Sequence, residues 1–450
     1  MSQVINIKRG LDIKIEGKAE KILLRAPMAE RYAVKPTDFV GVMPKLTAKV
    51  GDRVKAGSPL FFDKKNPDVI FTSPVSGEIE SVVRGDRRRI LEIVIKADEQ
   101  VDYEDFGKID VSGTDAESMK QHLLKSGLWP SVIQRPYGII ANPADTPRDI
   151  YISGFDTAPL APDLDFIVKD QGEMFTKGID VLKKLTSGNV VIGVDATSAL
   201  NSVYKNLKDV KIYSFKGKHP AGNVGLHIHK TDPINKGDVV WTINPQNVVM
   251  IGRLFNDGVY DASKIVALAG SEVKKTGYYK IIAGASVSSI TKDNINEGDI
   301  RYISGNVLTG TTISRDGYLG YYDGLLSVIP EGKHSEFLGW AMPGLKKFSM
   351  SRTFFSWLTP NKEYKLDTNY NGGDRAFVMS GQYEKVMPMD IYPVFLLKAI
   401  LAEDIDKMEQ LGIYEVVEED FALCDFVCTS KIETQKIVRE GLELMIKELG

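Results

Sequence analysis

The chain has 450 residues, of which 43% are hydrophobic and 26% charged, with a formal net charge of −3 and an isoelectric point near 6.1. A chain of this length is expected to hold about three domains. Its ordinary composition excludes disorder and a membrane-spanning body, and the near-neutral balance gives no general reason to bind nucleic acid.

Only two cysteines occur, which fits a reducing compartment. Lys8 and Arg9 are followed by no apolar run, so no signal peptide is expected. The best apolar windows, Tyr137 to Ile140 and Val394 to Leu401, fall far short of the ~20 residues of a spanning helix. A cytoplasmic chain follows, held at any membrane by another polypeptide.

Residues 1–100 read as short strands, with Ile5, Ile7, Ile13 and Ile15 alternating and a four-arginine turn, Arg84 to Arg89, before the strand Ile90 to Ile95. Within them, Gly41 to Val83 reads as two hairpin halves of one small barrel. Gly51-Asp52 and Gly57-Ser58 supply turns, Val50, Val54 and Leu60 the apolar positions, and Pro74 with Gly77 punctuates a return strand carrying Ile79 and Val82. This spacing resembles the biotinyl/lipoyl carrier family, a barrel-sandwich fold whose cofactor sits on a lysine at the exposed hairpin tip. At that place the chain reads Phe61-Phe62-Asp63-Lys64-Lys65-Asn66-Pro67-Asp68. The Ala-Met-Lys-Met of biotin carriers is missing, so solvated turn lysines are expected rather than a swinging arm on Lys64 or Lys65. A carrier protein stays as a rival reading.

From Asp102 the texture changes to helix alternating with strand. A capped helix opens at Thr114-Asp-Ala-Glu117, runs through Leu124 and is closed by Gly127. A strand Ile150 to Ser153, a helix Gly178 to Leu185, a strand Asn189 to Val194, a helix Ser198 to Leu207 and a strand Val210 to Phe215 follow. That order predicts a parallel, Rossmann-like sheet over 101–255. Such sheets bind ligands through glycine-rich turns, yet no Gly-x-Gly-x-x-Gly follows any strand, and Ser153-Gly-Phe-Asp156 has a single glycine.

Ile152-Ser-Gly-Phe-Asp-Thr-Ala-Pro-Leu-Ala-Pro-Asp163 is similar to a signature of the A subunit of the sodium-translocating NADH:quinone oxidoreductase. Further stretches agree in order: Asp63 to Pro67, Gly127-Leu-Trp129, His219 to Asn223 with His227-Ile-His229, Gly339-Trp340, Pro343-Gly344 with Lys347-Phe-Ser349, and Glu418 to Cys428. The resemblance implies one subunit of a six-subunit respiratory pump, the Na(+)-NQR complex, that passes electrons from NADH to ubiquinone while exporting Na⁺. It implies a peripheral protein on the cytoplasmic face of the bacterial membrane, partnered by the other five subunits, chiefly a membrane-embedded one. No tightly bound cofactor is expected on this chain; NADH, flavins and iron-sulfur centres belong to the partners, and ubiquinone is the one ligand that it is expected to meet. The chain also resembles flavin-binding subunits of NADH dehydrogenases. Where those keep a flavin-cradling glycine loop, it has Gly127 to Gly138 with Trp129 and Pro130, which obstruct or remove the amides that a flavin phosphate needs. A flavin-binding subunit is the enzyme-class rival.

Residues 256–330 are read as a β-grasp domain and following strands: 256 to about 310 are similar to the β-grasp, soluble-ligand-binding unit of the same relatives, with strand-like Ile265 to Ala269 and Thr276 to Ile282, and further short strands lie around Tyr318, Tyr321 and Tyr322. Residues 331–450 are expected to be mainly helical. Pro393 to Met408 shows a one-sided apolar stripe, and Thr429 or Ser430 is placed to cap a last helix carrying Ile437, Leu442, Met445 and Leu449 inward.

The candidate chemistry is thin, and no catalytic or metal-ligating residue is expected. Cys424 and Cys428 are too few for a cluster and read as packed thiols. His227-Ile-His229 on a strand would turn both imidazoles to one face near His219, an arrangement that holds a metal but more often packs. A quinone asks for an apolar slot with one or two donors. Phe39, Val42 and Met43, together with Trp129, Arg135 and Tyr137, fit that description, and in the family these two stretches are those associated with bound quinone. Arg135 would donate to a carbonyl oxygen while Phe39, Trp129 and Tyr137 flank the ring; interdomain packing explains the same residues equally well. Phe348 to Leu358, with Phe354, Phe355, Trp357 and Leu358 beside Arg352, is expected either to pack under the C-terminal helices or to dock on a partner.

Overall fold

The punctuated strands of the first hundred residues close into two facing antiparallel sheets. One orders Arg31–Val34, Ile90–Ala97, Gly77–Arg84 and Arg53–Val54; the other orders Pro44–Leu46, Pro59–Asp63 and Ile70–Thr72. Leu60, Phe61, Val75, Ile79 and Ile95 are fully buried in the barrel; the neighbours Leu60 and Phe61 escape strict alternation where the pairing of Pro59–Asp63 shifts register, and Phe61 stacks on Phe71 at 4.4 Å. Lys64 and Lys65 lie exposed at the hairpin tip, which Asp63 folds by accepting the Met43 and Lys65 amides at 2.9 and 3.1 Å. This computed structural model describes residues 4–199, 202–333, 338–340, 342 and 344–449. Pro343 of the Pro343-Gly344 motif and part of the helix expected over Ser198 to Leu207 therefore lie outside the described residues, the helix being seen as Ser202–Lys205.

With the barrel counted as one, the second sheet has seven strands in the order Val4–Ile7, Lys211–Gly217, Val190–Asp195, Ile150–Ser153, Val240–Thr242, Ile133–Arg135 and Ile139–Ile140. The first five run parallel, Ile133–Arg135 pairs antiparallel with the fifth, and Ile139–Ile140 pairs antiparallel with Ile133–Arg135. The helix Ala116–Ser126 is capped by Asp115, which accepts the Ser118 amide, and is closed by Gly127 in the left-handed region (φ 76°). Two further helices, Gly172–Leu185 and Pro245–Asp257, cross at Gly178 and Gly252. A methyl on Gly178 would lie 2.1 Å from the Val248 carbonyl oxygen, and one on Gly252 1.8 Å from that of Met174, so the two backbones touch where side chains normally separate them.

The third sheet orders Thr311–Ile313, Ile300–Ser304, Leu325–Pro330, Ser263–Ala269, Gly277–Ile282 and Leu23–Arg25. The N-terminal segment thus gives one edge strand to the second sheet and one to the third. Alternating isoleucines announce a strand, but nothing local in them names its partner.

Three local expectations are corrected. His227 and His229 lie on a helix, Val224–Thr231, where residues two apart point to different sides, so the shared face does not form. The helix expected over Pro393 to Met408 is two, Pro393–Leu401 and Ile405–Gln410. It breaks at Glu403, whose φ is 52°, and restarts where Asp404 accepts the Lys407 amide. The last helix, Thr434–Leu449, starts four residues after Ser430, because Thr434 is tied back by its hydroxyl to Asp425 at 2.6 Å.

Candidate functional site

The two stretches singled out for a quinone meet at a seam between the barrel and the second and third sheets. Gly127 lets the turn after its helix approach the barrel: an added methyl would sit 2.3 Å from Thr72 Oγ1, and that hydroxyl donates to the Ser126 carbonyl at 3.2 Å. On the other side, the Tyr322 hydroxyl donates to the Pro130 carbonyl at 2.7 Å. Phe39 is buried against Phe71, Tyr321 and Tyr322, with ring centres 4.5, 5.0 and 5.8 Å away. Asp38 accepts the Tyr321 amide at 2.9 Å and faces Lys35 at 3.4 Å; burial raises its carboxyl above the usual range. Lys264 pins the same loop from below, donating to the carbonyls of Tyr321 and Asp323 at 3.0 and 2.6 Å. Burial pushes its ammonium down to about 8, against the pull of Asp323 and Asp38.

Phe39, Phe71, Pro130, Tyr260 and Tyr321 enclose a cavity of about 20 Å³. The Tyr321 hydroxyl, facing Tyr260, makes no well-formed hydrogen bond there. This is room for a single water, against a few hundred Å³ for an organic ring with its substituents. A ring enters only if the turn around Phe39 moves.

The six residues named for this site do not all reach it. Trp129 is fully buried one layer away, donating its indole N–H to the Ala141 carbonyl at 2.7 Å and standing edge-on to Trp241 at 5.3 Å. Val42 is half-buried and Met43 half-exposed beyond the cavity. Arg135, 3% exposed, is committed elsewhere: it pairs with Glu419 at 2.5 Å and with Asp420 at 3.1 Å. Asp420 lies against the first turn of the helix Val224–Thr231, 2.9 Å from where a methyl on Gly225 would be, a place where a helix favours negative charge. Tyr137 accompanies this clamp, its carbonyl accepting Arg439 at 2.9 Å and its ring 6.3 Å from Tyr414. Phe39 therefore shapes the cavity, while Arg135 and Tyr137 join the second sheet to the C-terminal region. Tyr321 and Tyr322 were visible in the sequence only as tyrosines among glycines, and Asp38 and Lys264 gave no signal.

The histidines are separated. His227 is sandwiched between Phe155 and Phe215, bonded through Nε2 to the Ala221 carbonyl at 2.8 Å. His229 links Glu415 at 2.6 Å to the Asp390 amide at 2.8 Å, and His219 packs against Thr157 at 3.1 Å. Burial pushes His219 and His227 down to about 4. Among the described residues no group of three His, Cys, Asp or Glu is placed to hold a metal. Cys424 and Cys428 are free and buried; Cys428 Sγ accepts the Tyr383 hydroxyl at 2.8 Å and the Ile432 amide at 3.2 Å.

The aromatic band divides. Phe354 is buried and Phe348 packs on Tyr364 and Phe426, whereas Phe355, Trp357 (48% exposed) and Leu358 face outward. Trp340 (47%) and Leu345 (73%) extend the exposed apolar surface. Arg352 lies over Trp357 at 5.2 Å and Arg375 over Trp340 at 5.1 Å. Between Leu338 and Leu358 the sequence has Lys346, Lys347 and Arg352 and no acidic residue.

The family models and the relatives similar in sequence agree with one another. Residues 5–98 match the NqrA N-terminal barrel-sandwich hybrid domain, residues 114–260 the NqrA second alpha/beta domain, and residues 265–315 the NQRA C-terminal domain. The chain is 40% identical over 448 residues to the A subunit of the Na(+)-translocating NADH-quinone reductase of Yersinia pestis bv. Antiqua (strain Angola). The proteins of the same name from Neisseria meningitidis serogroup A and Vibrio anguillarum are 38% and 39% identical; each alignment covers 99% of this chain and all of the relative. A solved NAD⁺-reducing NiFe-hydrogenase overlaps with a TM-score of 0.38 at 10% identity, over 77% of this chain and 67% of that one, too distant to argue from.

Proposed function

The chain belongs to the NqrA family, the A subunits of the Na(+)-translocating NADH-quinone reductase, and on that premise we propose that it is the peripheral, non-catalytic assembly subunit of that complex. In this reading it sits on the cytoplasmic face of the membrane, against a membrane-embedded partner among the other five subunits. The flavins, iron-sulfur centres and NADH site reside in those partners, where electron flow to ubiquinone is coupled to Na⁺ export.

The exposed band Trp340, Leu345, Phe355, Trp357 and Leu358 carries the reading. An apolar surface of this kind, in a segment from Leu338 to Leu358 whose charged residues are Lys346, Lys347 and Arg352, is stabilised by a partner that is apolar at its centre and anionic at its rim. No helix among the described residues is long and apolar enough to cross a membrane, so attachment through a partner is the economical route. Two cheap measurements address the rivals: a yellow, flavin-bearing purified chain would favour the dehydrogenase reading, and added mass on Lys64 or Lys65 would favour the carrier.

A second reading rests on the cavity beside Phe39. We infer that a quinone ring enters there when the Phe39 turn opens, with Tyr321 offering a hydroxyl and Phe71 and Pro130 flanking the ring. Phe39→Leu should weaken binding of a ubiquinone analogue about tenfold, the ~1.4 kcal/mol of one aromatic contact. Arg135→Lys, whose donors already serve Glu419 and Asp420, should leave it within about twofold. Unchanged affinity in Phe39→Leu, or abolished affinity in a folded Arg135→Lys chain, would move the ring site away from this cavity.

A further inference from the structure

A cleft of about 340 Å³ opens between the edge of the third sheet and the helix Leu164–Val168, away from the seam. Its walls bear Lys21, Lys169, Arg253 and Lys280, with Asp170 the only acid among them. Lys264 also lines it, but its ammonium is turned away to the backbone carbonyls of the seam. Two of the remaining cations are neutralised in place: Lys21 pairs with Asp163, and Arg253 with Asp261 at 3.2 Å. Lys169 and Lys280 are not; among the described residues neither meets a carboxylate, and Lys169 lies 4.3 Å over the Phe166 ring.

The register adds a conflict. Lys280 stands directly opposite Arg25 on the edge strand Leu23–Arg25, and like charges across a strand pair are destabilising. A sheet edge that keeps two facing cations next to an uncompensated lysine has a place for an anion. Beside these cations, Leu23 is 52% and Ile22 46% exposed, and Phe166 and Ile265 are apolar walls. Cations and apolar side chains in one lining match an amphiphile with an anionic head, and the volume falls in the range of small-molecule sites.

We propose that this cleft binds a phosphate group, received by Lys169 and Lys280 through charge-assisted hydrogen bonds, with Arg25 adding its charge from the strand position opposite Lys280, and brought either by an anionic phospholipid or by a free phosphate ester. The full-length chain would be titrated with sn-glycerol 3-phosphate by calorimetry and sedimented with vesicles of phosphatidylglycerol or of phosphatidylcholine. Binding of the soluble ester identifies a free ligand; retention by phosphatidylglycerol alone identifies a lipid head. In either arm Lys280→Glu should lower binding at least tenfold, while Arg87→Glu, on the separate basic turn of the barrel, should change it less than twofold. Because Lys280→Glu replaces a like-charge pair with an opposite one, its unliganded melting temperature should equal or exceed the parent's. The proposal is overturned by any of three results: neither probe binds, Arg87→Glu weakens binding as much as Lys280→Glu, or Lys280→Glu melts below the parent.

Discussion

Arg135 shows how a residue chosen for one chemistry is claimed by another. Its guanidinium is a reasonable donor for a quinone oxygen on sequence grounds, since an arginine in an aromatic, glycine-bearing stretch has no visible partner. The partners are Glu419 and Asp420, more than 280 positions away in the chain, and no local pattern announces them. Truncation to alanine would strand the buried Asp420 carboxylate, so Arg135→Ala is expected to cost about 3–5 kcal/mol, read as a lower denaturation midpoint with Arg135→Lys intermediate. The buried imidazoles make a second statement. His219 and His227 titrate near 6.5 when unfolded but are pushed down to about 4 in the fold by burial. Below pH 6.5 the unfolded chain binds protons that the folded chain refuses, so stability is complete above that pH and falls as pH drops towards 4. Each histidine is worth up to ~3 kcal/mol. Denaturation midpoints measured between pH 4 and 7 should fall on acidification, and His227→Gln should flatten the slope by about one proton.

At the level of elements, what the sequence made legible was local. The barrel turns, the helix that opens within Thr114 to Glu117 and closes at Gly127, and the strand–helix alternation all follow from turn chemistry, caps and periodicity, which act within a few residues. His227-Ile-His229 misled because a short segment with two apolar neighbours satisfies strand and helix spacing alike, and the tertiary stacking of His227 between Phe155 and Phe215 decided the matter. The edge strands Val4–Ile7 and Leu23–Arg25 were readable as extended chain, but their partners lie more than 200 residues on. The crossing of Gly172–Leu185 and Pro245–Asp257 was likewise invisible, and it gives a counterintuitive expectation. Alanine is the better helix former by about 1 kcal/mol, yet Gly252→Ala should destabilise by ~2 kcal/mol or more, because its methyl would press on the Met174 carbonyl. Thermal melting of Gly252→Ala against an exposed control, Gly373→Ala, which meets nothing within 4 Å, checks it.

For the molecule as a whole, the sheets are bound into one body by seams rather than by linkers. The N-terminal segment is shared between two sheets, the Gly127–Val132 turn is gripped by Thr72 and Tyr322, and the C-terminal region is clamped through Arg135. Of the candidate site, the sequence located the two stretches that converge but not their depth: Phe39 lines the cavity, whereas Trp129 packs behind it and Arg135 and Tyr137 face the other way. Side-chain direction depends on which sheet covers which, and that is settled by long-range contacts. The band Phe348 to Leu358 was legible as two alternatives, and the exposure of Phe355, Trp357 and Leu358 favours docking. The most direct test is to express Trp340→Ser/Trp357→Ser with the other subunits of the complex and measure its share in the membrane fraction beside the melting temperature of the isolated chain. The account expects loss from the membrane fraction with melting unchanged within about 2 °C, as for surface substitutions; full retention at the membrane, or a collapse of melting with assembly intact, would contradict it.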